Sequence, residues 1–186
     1  GAIVVTRDGK VVAAVYSDGF DADTQFQLAS MTKQFTAMGI LKCVEAGDIT
    51  LDTTLNSIEE LNDFPYADQI TIRHLLNMTS GLPRDFDCDE TKEISIDTLI
   101  VELKAVCRYK LEFEPGSRFS YRNINYQLLT FVIEKVTGKS YEKHMKETVF
   151  SPLEMSNTGI DFTSENKAIG KTITNGCFVD SPQVHR

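Results

Sequence analysis

Ser30 and Lys33 stand three residues apart in the stretch LASMTKQFTA. Residues three apart on a helix share a face, with an axial rise of ~4.5 Å between them. An amine on Lys33 can therefore reach a hydroxyl on Ser30. A serine hydroxyl is a weak nucleophile until a base takes its proton. A lysine becomes that base when its pKa falls, and burial or the positive end of a helix dipole has that effect. Lys33 falls in the first turn, where a cation is least favoured, so the dipole would favour the neutral, proton-accepting amine. The plainer reading is that Ser30 caps the helix and Lys33 is solvated. A capping box, however, asks for Glu or Gln at its third position, where Lys has the wrong charge.

A second chemical pair lies in PGSRFSYRNINYQLL. Tyr121 and Asn123 follow a Pro-Gly turn and precede a helical pattern. A tyrosine beside a lysine loses its proton more easily and can act as general acid or base. An asparagine amide can orient a lysine or donate to a substrate carbonyl. The alternative is that Asn123 caps the helix and Tyr121 is packed.

These residues need elements to hold them. AIVVTRDGKVVAAVY reads as two β-branched strands joined at Asp8-Gly9, a hairpin signal. TQFQLA is a short extended piece. The spacing predicts a helix from about Ser30 to Ala46, with Met38, Leu41 and Val44 on one stripe and Gly47 as its stop. DITLDTTLNSI is loop-like. ITIRHLLNMTSGLP reads as a short helix opened by a threonine cap and ended at Ser80-Gly81. A third helix over SIDTLIVELKAVC is capped by Ser95 and places Leu99, Leu103 and Val106 on one face. A fourth over INYQLLTFVIEKVTG carries Tyr126, Leu129, Ile133 and Val136 and ends at Gly138. Ser140 caps YEKHMKETVF. The tail from Ser151 is turn-rich and weakly patterned. Two strands rarely stand alone, so the fold calls for further strands.

The 186 residues suffice for one domain with a sizeable core, and 41% apolar with 25% charged residues is ordinary globular usage. A net charge of −8 and a pI near 4.9 argue against nucleic acid or an anionic membrane as partner. No apolar run approaches the ~20 residues of a membrane span. No signal-peptide pattern opens the chain, which starts inside a strand pattern, and the compartment is left open. The four cysteines, Cys43, Cys88, Cys107 and Cys177, form neither a C-x-x-C pair nor a zinc spacing. Cys43 and Cys107 read as buried free thiols, which suit a reducing compartment. His74 and His144 read as surface or capping residues. DGFDAD lacks the rest of a calcium loop. No metal site is expected.

In their order and approximate spacing, FQLASMTKQFTA, LLNMTSGLP, EPGSRFSYRNINYQLL, VIEKVTGKSY and VFSPLEMSNT resemble the serine β-lactamase and penicillin-binding family. The likeness is to its class C-like branch of β-lactamases, D-alanyl-D-alanine carboxypeptidases, family VIII-type esterases and LACTB-like proteins. It runs from the hairpin to about Asn157. It implies an α/β (α+β) fold of β-lactamase/transpeptidase type: an antiparallel sheet flanked by helices, with a helical lobe from about residue 48 to 140. In a single domain over residues 1–186 the sheet would be incomplete. The resemblance assigns Ser30 and Lys33 to the S-x-x-K motif, as acylated nucleophile and its lysine. Tyr121 and Asn123 fall on the Y-x-N motif. The backbone amide of Ser30 would form half of an oxyanion hole. The implied chemistry is acyl transfer from an amide or ester, on a small-molecule or peptide substrate such as a D-alanine peptide, a β-lactam or a carboxylic ester, without cofactor.

Two departures follow. The third motif of the family, K-T-G or H-x-G, is not found; Lys171-Thr172-Ile173 lacks the glycine and follows PLEMSNT too soon. The chain therefore resembles an N-terminal portion of such a protein. An active hydrolase, a covalent sensor that acylates without release, and a non-catalytic relative that binds ligand or self-associates all remain open, as does the oligomeric state. The second departure is Met78, where relatives usually carry histidine; little functional weight attaches to it.

Overall fold

The computed structural model describes residues 1–83, 96–106, 110–160, 167–168, 171–174 and 177–180. Strands β1 (Ala2–Arg7) and β2 (Lys10–Tyr16) form the antiparallel hairpin that Asp8-Gly9 predicts. Both turn residues take positive φ, 52° and 73°, as a two-residue turn matching the strand twist requires. The register slips between Val5 and Thr6, which face Ala13 and Val11, so Val12 is the extra residue of a bulge. Ile3, Val4, Val5, Val11, Val12 and Val15 are all exposed, on both faces of the hairpin.

The body of the molecule is helical. A 3₁₀ turn, Ala29–Met31, leads into α1 (Thr32–Ala46), which ends at Gly47 in the left-handed conformation, φ 83°. Helix α2 (Ile72–Leu76) opens at Thr71, whose hydroxyl accepts from the His74 N–H while His74 Nδ1 accepts from the Thr71 N–H. This is a reciprocal cap with histidine in the usual place of glutamate. Helix α3 is Ile96–Val106. Helix α4 (Asn123–Thr137) ends at Gly138, again left-handed, and Ser140 caps α5 (Tyr141–Met145), which continues as a π turn over Lys146–Phe150. The tail, expected to be turn-rich, also holds a second antiparallel hairpin, β3 (Lys171–Thr174) with β4 (Cys177–Asp180). A parallel bridge joins Gln25 to Lys167.

Helix α4 is the central post. Its Ile124, Leu128, Leu129, Phe131, Val132 and Ile133 are buried, and α1, α2, α3 and α5 all pack on it. Burying each such side chain contributes about 1.5–3 kcal/mol. Ile100 and Leu103 carry α3 into the same core; the side chains of Leu99 and Val106 lie outside the described residues.

Of the expected stripe on α1, Val44 packs against the core and the other two residues do not. Met38 and Leu41 are exposed, and Thr36, Gly39, Ile40 and Cys43 face inward. The helix is apolar on more than one side, so spacing alone selects no face. Gly39 decides it: a Cβ there would lie 2.6 Å from Met145 Sδ and 3.0 Å from Ile133 Cδ1, so the missing side chain lets α4 and α5 approach closely. His144, expected at the surface or at a cap, is buried instead. Its Nε2 lies 3.2 Å from the Gly39 carbonyl oxygen and 3.8 Å from Cys43 Sγ, because α5 folds back onto α1.

The loop after α2 is tied to the segment that precedes α4. Ser120 N–H donates to the Met78 carbonyl at 2.9 Å, Gly116 N–H to Thr79 at 2.8 Å, and Glu112 N–H to Gly81 at 2.8 Å. Gly81 has φ 76°, and a Cβ there would meet the Phe113 carbonyl oxygen at 2.1 Å. Gly81→Ala therefore combines a left-handed alanine with a clash against backbone. It should destabilise the protein by more than about 3 kcal/mol, read as a lowered urea midpoint.

Cys43 is a buried free thiol as expected; the matching expectation for Cys107 lies outside the described residues. Burial, with a smaller contribution from the charge of Asp48, pushes its pKa from 9.0 up to about 11. The unfolded chain then loses this proton first as pH rises. Cys43 should lower stability progressively between pH 9 and 11. Cys43→Val should flatten that part of the stability profile relative to the wild-type protein, as measured by denaturant titration at each pH.

Candidate active site

Ser30 sits in the 3₁₀ turn and Lys33 in the first turn of α1. The residue before Ser30, Ala29, has φ 47°, in the left-handed region that alanine rarely adopts. Such strain clusters at functional sites. No side chain caps either the 3₁₀ turn or α1, so Ser30 is not the helix cap of the plainer reading.

Tyr121 and Asn123 come from the other end of the sequence. Arg122 is the cap residue of α4, with extended backbone at φ −145° and ψ 128°, and Asn123 is the first helical residue. Asn123 is thus not a cap. Its Oδ1 accepts from Lys33 Nζ at 2.8 Å, across 90 residues of sequence. The Tyr121 hydroxyl donates to Ser30 Oγ at 2.8 Å. Lys33 Nζ donates to Ser30 Oγ at 3.3 Å and lies 5.0 Å from the centroid of the Tyr121 ring. All four residues singled out by sequence therefore meet at one point.

The site is open at the serine and closed behind the lysine. Ser30 is exposed and Tyr121 is 46% exposed, while Lys33 and Asn123 are half-buried. Tyr126 closes the rear, with its ring centroid 5.9 Å from Lys33 Nζ and its hydroxyl donating to the Leu76 carbonyl. Burial, then the neighbouring Tyr121, pushes the Tyr126 phenol up. Among the described residues no cluster of three or more His, Cys, Asp or Glu could hold a metal ion. None of the described helices is long and apolar enough to cross a membrane.

Sequence reasoning missed the groups around this centre. Arg122 donates through Nη1 to the Tyr121 carbonyl at 3.0 Å and through Nη2 to Glu112 Oε2 at 2.7 Å. Asn125 is fully buried and accepts from the Ser80 hydroxyl. A signal for Asn125 existed: it occupies the inward stripe of Leu128, Leu129 and Val132, as a polar residue where the period asks for an apolar one. Lys171-Thr172-Ile173 lies on β3, and its side chains are outside the described residues.

Residues 1–176 match the family model described as Beta-lactamase. Penicillin-binding protein 4* of Bacillus subtilis is 37% identical over 139 residues, which are 73% of this chain and 30% of that protein. The octameric penicillin-binding protein homologue from Pyrococcus abyssi superposes with a TM-score of 0.81 at 27% identity, covering 97% of this chain and 45% of that one. The D-amino acid amidase from Ochrobactrum anthropi SV3, in its complex with L-phenylalanine amide, gives a TM-score of 0.72 at 29% identity, covering 87% and 48%. The chain spans about a third of the length of the curated relatives it matches. Its helices and antiparallel strands have the β-lactamase/transpeptidase-like arrangement, and with a match running over residues 1–176 the chain belongs to the Beta-lactamase family of serine hydrolases.

Proposed function

We propose that this chain carries, within a single β-lactamase-like domain, the acylation centre of a serine hydrolase that acts on an amide or ester. The supporting observation is the convergence of Tyr121 and Lys33 on Ser30 Oγ, with Lys33 held by Asn123. Ser30 Oγ attacks the substrate carbonyl carbon. Its proton passes to the Lys33–Tyr121 pair in the form in which that pair is one proton short, onto a neutral Lys33 amine directly or onto a Tyr121 phenolate beside the Lys33 ammonium. The backbone N–H of Ser30 supplies one donor to the oxyanion. The pair returns the proton to the leaving amine or alkoxide as the acyl–Ser30 ester forms. Water then attacks that ester, releasing the carboxylic acid and restoring the serine hydroxyl. Asn123 keeps the Lys33 amine on the serine, a reading supported by their 2.8 Å contact, and its amide nitrogen would donate to a substrate carbonyl. D-alanine peptides, β-lactams and carboxylic esters all present the required carbonyl.

A second reading is favoured by the third motif not being found: the one candidate, Lys171-Thr172-Ile173, lacks the glycine and follows PLEMSNT too soon. On that reading the chain binds ligand or self-associates without turnover. Intact-mass spectrometry separates the two. Incubation with a fluorophosphonate should add one phosphonyl group with loss of fluoride. Benzylpenicillin should add its whole mass through ring opening. Both adducts should vanish in Ser30→Ala, and Tyr121→Phe should slow phosphonylation by about 10²–10⁴-fold. Absence of both adducts, in protein shown to be folded by circular dichroism, would overturn the hydrolase reading and leave the non-catalytic one.

A further inference from the structure

The Tyr121–Asn123 segment has little regular structure of its own, and it is held by side chains whose hydrogen bonds go to groups other than Ser30 and Lys33. Asn125 is fully buried and Ser80 is 1% exposed. Ser80 Oγ accepts the Leu82 N–H at 3.2 Å, so its own proton points to Asn125 Oδ1 at 2.6 Å. That fixes the orientation of the Asn125 amide. Its Nδ2 donates to the Arg122 carbonyl at 3.2 Å and to Met78 Sδ at 3.4 Å. The Arg122 carbonyl belongs to the peptide unit joining Arg122 to Asn123. The backbone bond from Ser120 N–H to the Met78 carbonyl secures the other side of Tyr121.

Asn125 lies on a stripe of leucine and valine, and an apolar pair in place of Asn125 and Ser80 would take the acceptor from the buried Leu82 N–H and the side-chain donor from the Arg122 carbonyl, so the pair contributes to stability as well as to orientation. Directional hydrogen bonds supply what an apolar contact cannot, a fixed angle for the peptide plane between Arg122 and Asn123, which leads directly into Asn123 and adjoins Tyr121; the Asn125 N–H reaches the same carbonyl at 3.4 Å. Met78, to which the sequence attached little weight, is part of the same bolt through its carbonyl and its sulfur.

We propose that Asn125 and Ser80 are positioning residues for the acylation of Ser30: their buried pair holds the Arg122 carbonyl and thereby sets the distance of Tyr121 from Ser30 and of Asn123 from Lys33. This rests on the acyl-transfer reading above, and its test keeps the two apart. Asn125→Leu keeps the branched shape, with some added volume, and removes the bonds; Ser80→Ala removes the hydroxyl; the double variant removes the pair. Phosphonylation of Ser30 is followed as kinact and KI. Amide exchange of residues 118–123 is followed by mass spectrometry.

In Asn125→Leu, kinact should fall about 10- to 100-fold with KI within about twofold, since misplacement of about 1 Å costs on that order. Within 118–123 the Ser120 amide, which donates to the Met78 carbonyl, should exchange at least about tenfold faster while those of α4 beyond Leu128 keep their protection. The double variant should be no slower than Asn125→Leu alone, because both changes break one unit. Val132→Ala, a core change on α4, should lower the melting temperature and leave kinact unchanged. Unchanged exchange at 118–123 in folded Asn125→Leu would overturn the proposal, whether or not Ser30 is labelled. Equal acceleration over all of α4 would also overturn it, by reducing Asn125 to a core residue. If Asn125→Leu fails to fold, Ser80→Ala carries both readouts with the same criteria. A wild-type protein that takes no label defeats the functional reading alone, and the exchange result still decides the role of the pair.

Discussion

The site depends on one contact, the hydrogen bond from Lys33 Nζ to Asn123 Oδ1. It joins the first turn of α1 to the first residue of α4, and nothing local in either segment requires the other. An ammonium group in the first turn of a helix is disfavoured by the dipole, by about 0.3–1 kcal/mol at an exposed position. No acidic side chain in that turn of α1 offsets it. The Lys33 Nζ is instead held by hydrogen bonds to the oxygens of Asn123 and Ser30, at 2.8 and 3.3 Å. The amine is thereby drawn onto the serine rather than out into water. The rest of the molecule must bring the two helix starts to one place and keep them there.

Packing accomplishes this at a distance. Gly39 removes a side chain where α1 crosses Ile133 of α4 and Met145 of α5. Ile40 and Cys43 then reach the core shared with Leu128, Leu129 and Val132. His144 hydrogen-bonds near the carbonyl of the same glycine, so the polar and apolar contacts of α5 act on one turn of α1. Close-packed helices resist sliding, since a shift of one residue would put Cβ atoms where Gly39 now leaves room. The helix starts inherit that rigidity. The loops between do not, which is why the Tyr121 segment needs its own ties to Met78, Thr79 and Glu112.

What the sequence disclosed follows the range of the forces involved. Asp8-Gly9, Gly47, Thr71, Gly138 and Ser140 were legible because turns and caps are set by neighbouring residues. The Ser30–Lys33 pair was legible because three residues of helix put the two side chains together. Their meeting with Tyr121 and Asn123 could not be deduced from spacing, since about ninety residues intervene; family resemblance supplied it. The inward face of α1 was misread because Met38 and Leu41 are as apolar as Ile40, and the choice belongs to the partner helices. His144 was misplaced for a similar reason, because its carbonyl partner lies on another helix. The second hairpin was missed because KTIT and CFVD are too short to show a period.

The openness of the site bears on how it would work. Ser30 and Tyr121 face water while Lys33 is backed by Tyr126. In water, hydrogen-bond donors aimed at a developing oxyanion are screened, and they strengthen when water leaves. A ligand lying over Ser30 would itself supply that exclusion, covering the serine and phenol while the lysine is already screened from behind. Proton transfer would then be most favourable in the complex and least so in the free protein. On the acyl-transfer reading, binding and activation are one event, and the fit of the ligand over Tyr121 would decide which carbonyl compounds are attacked.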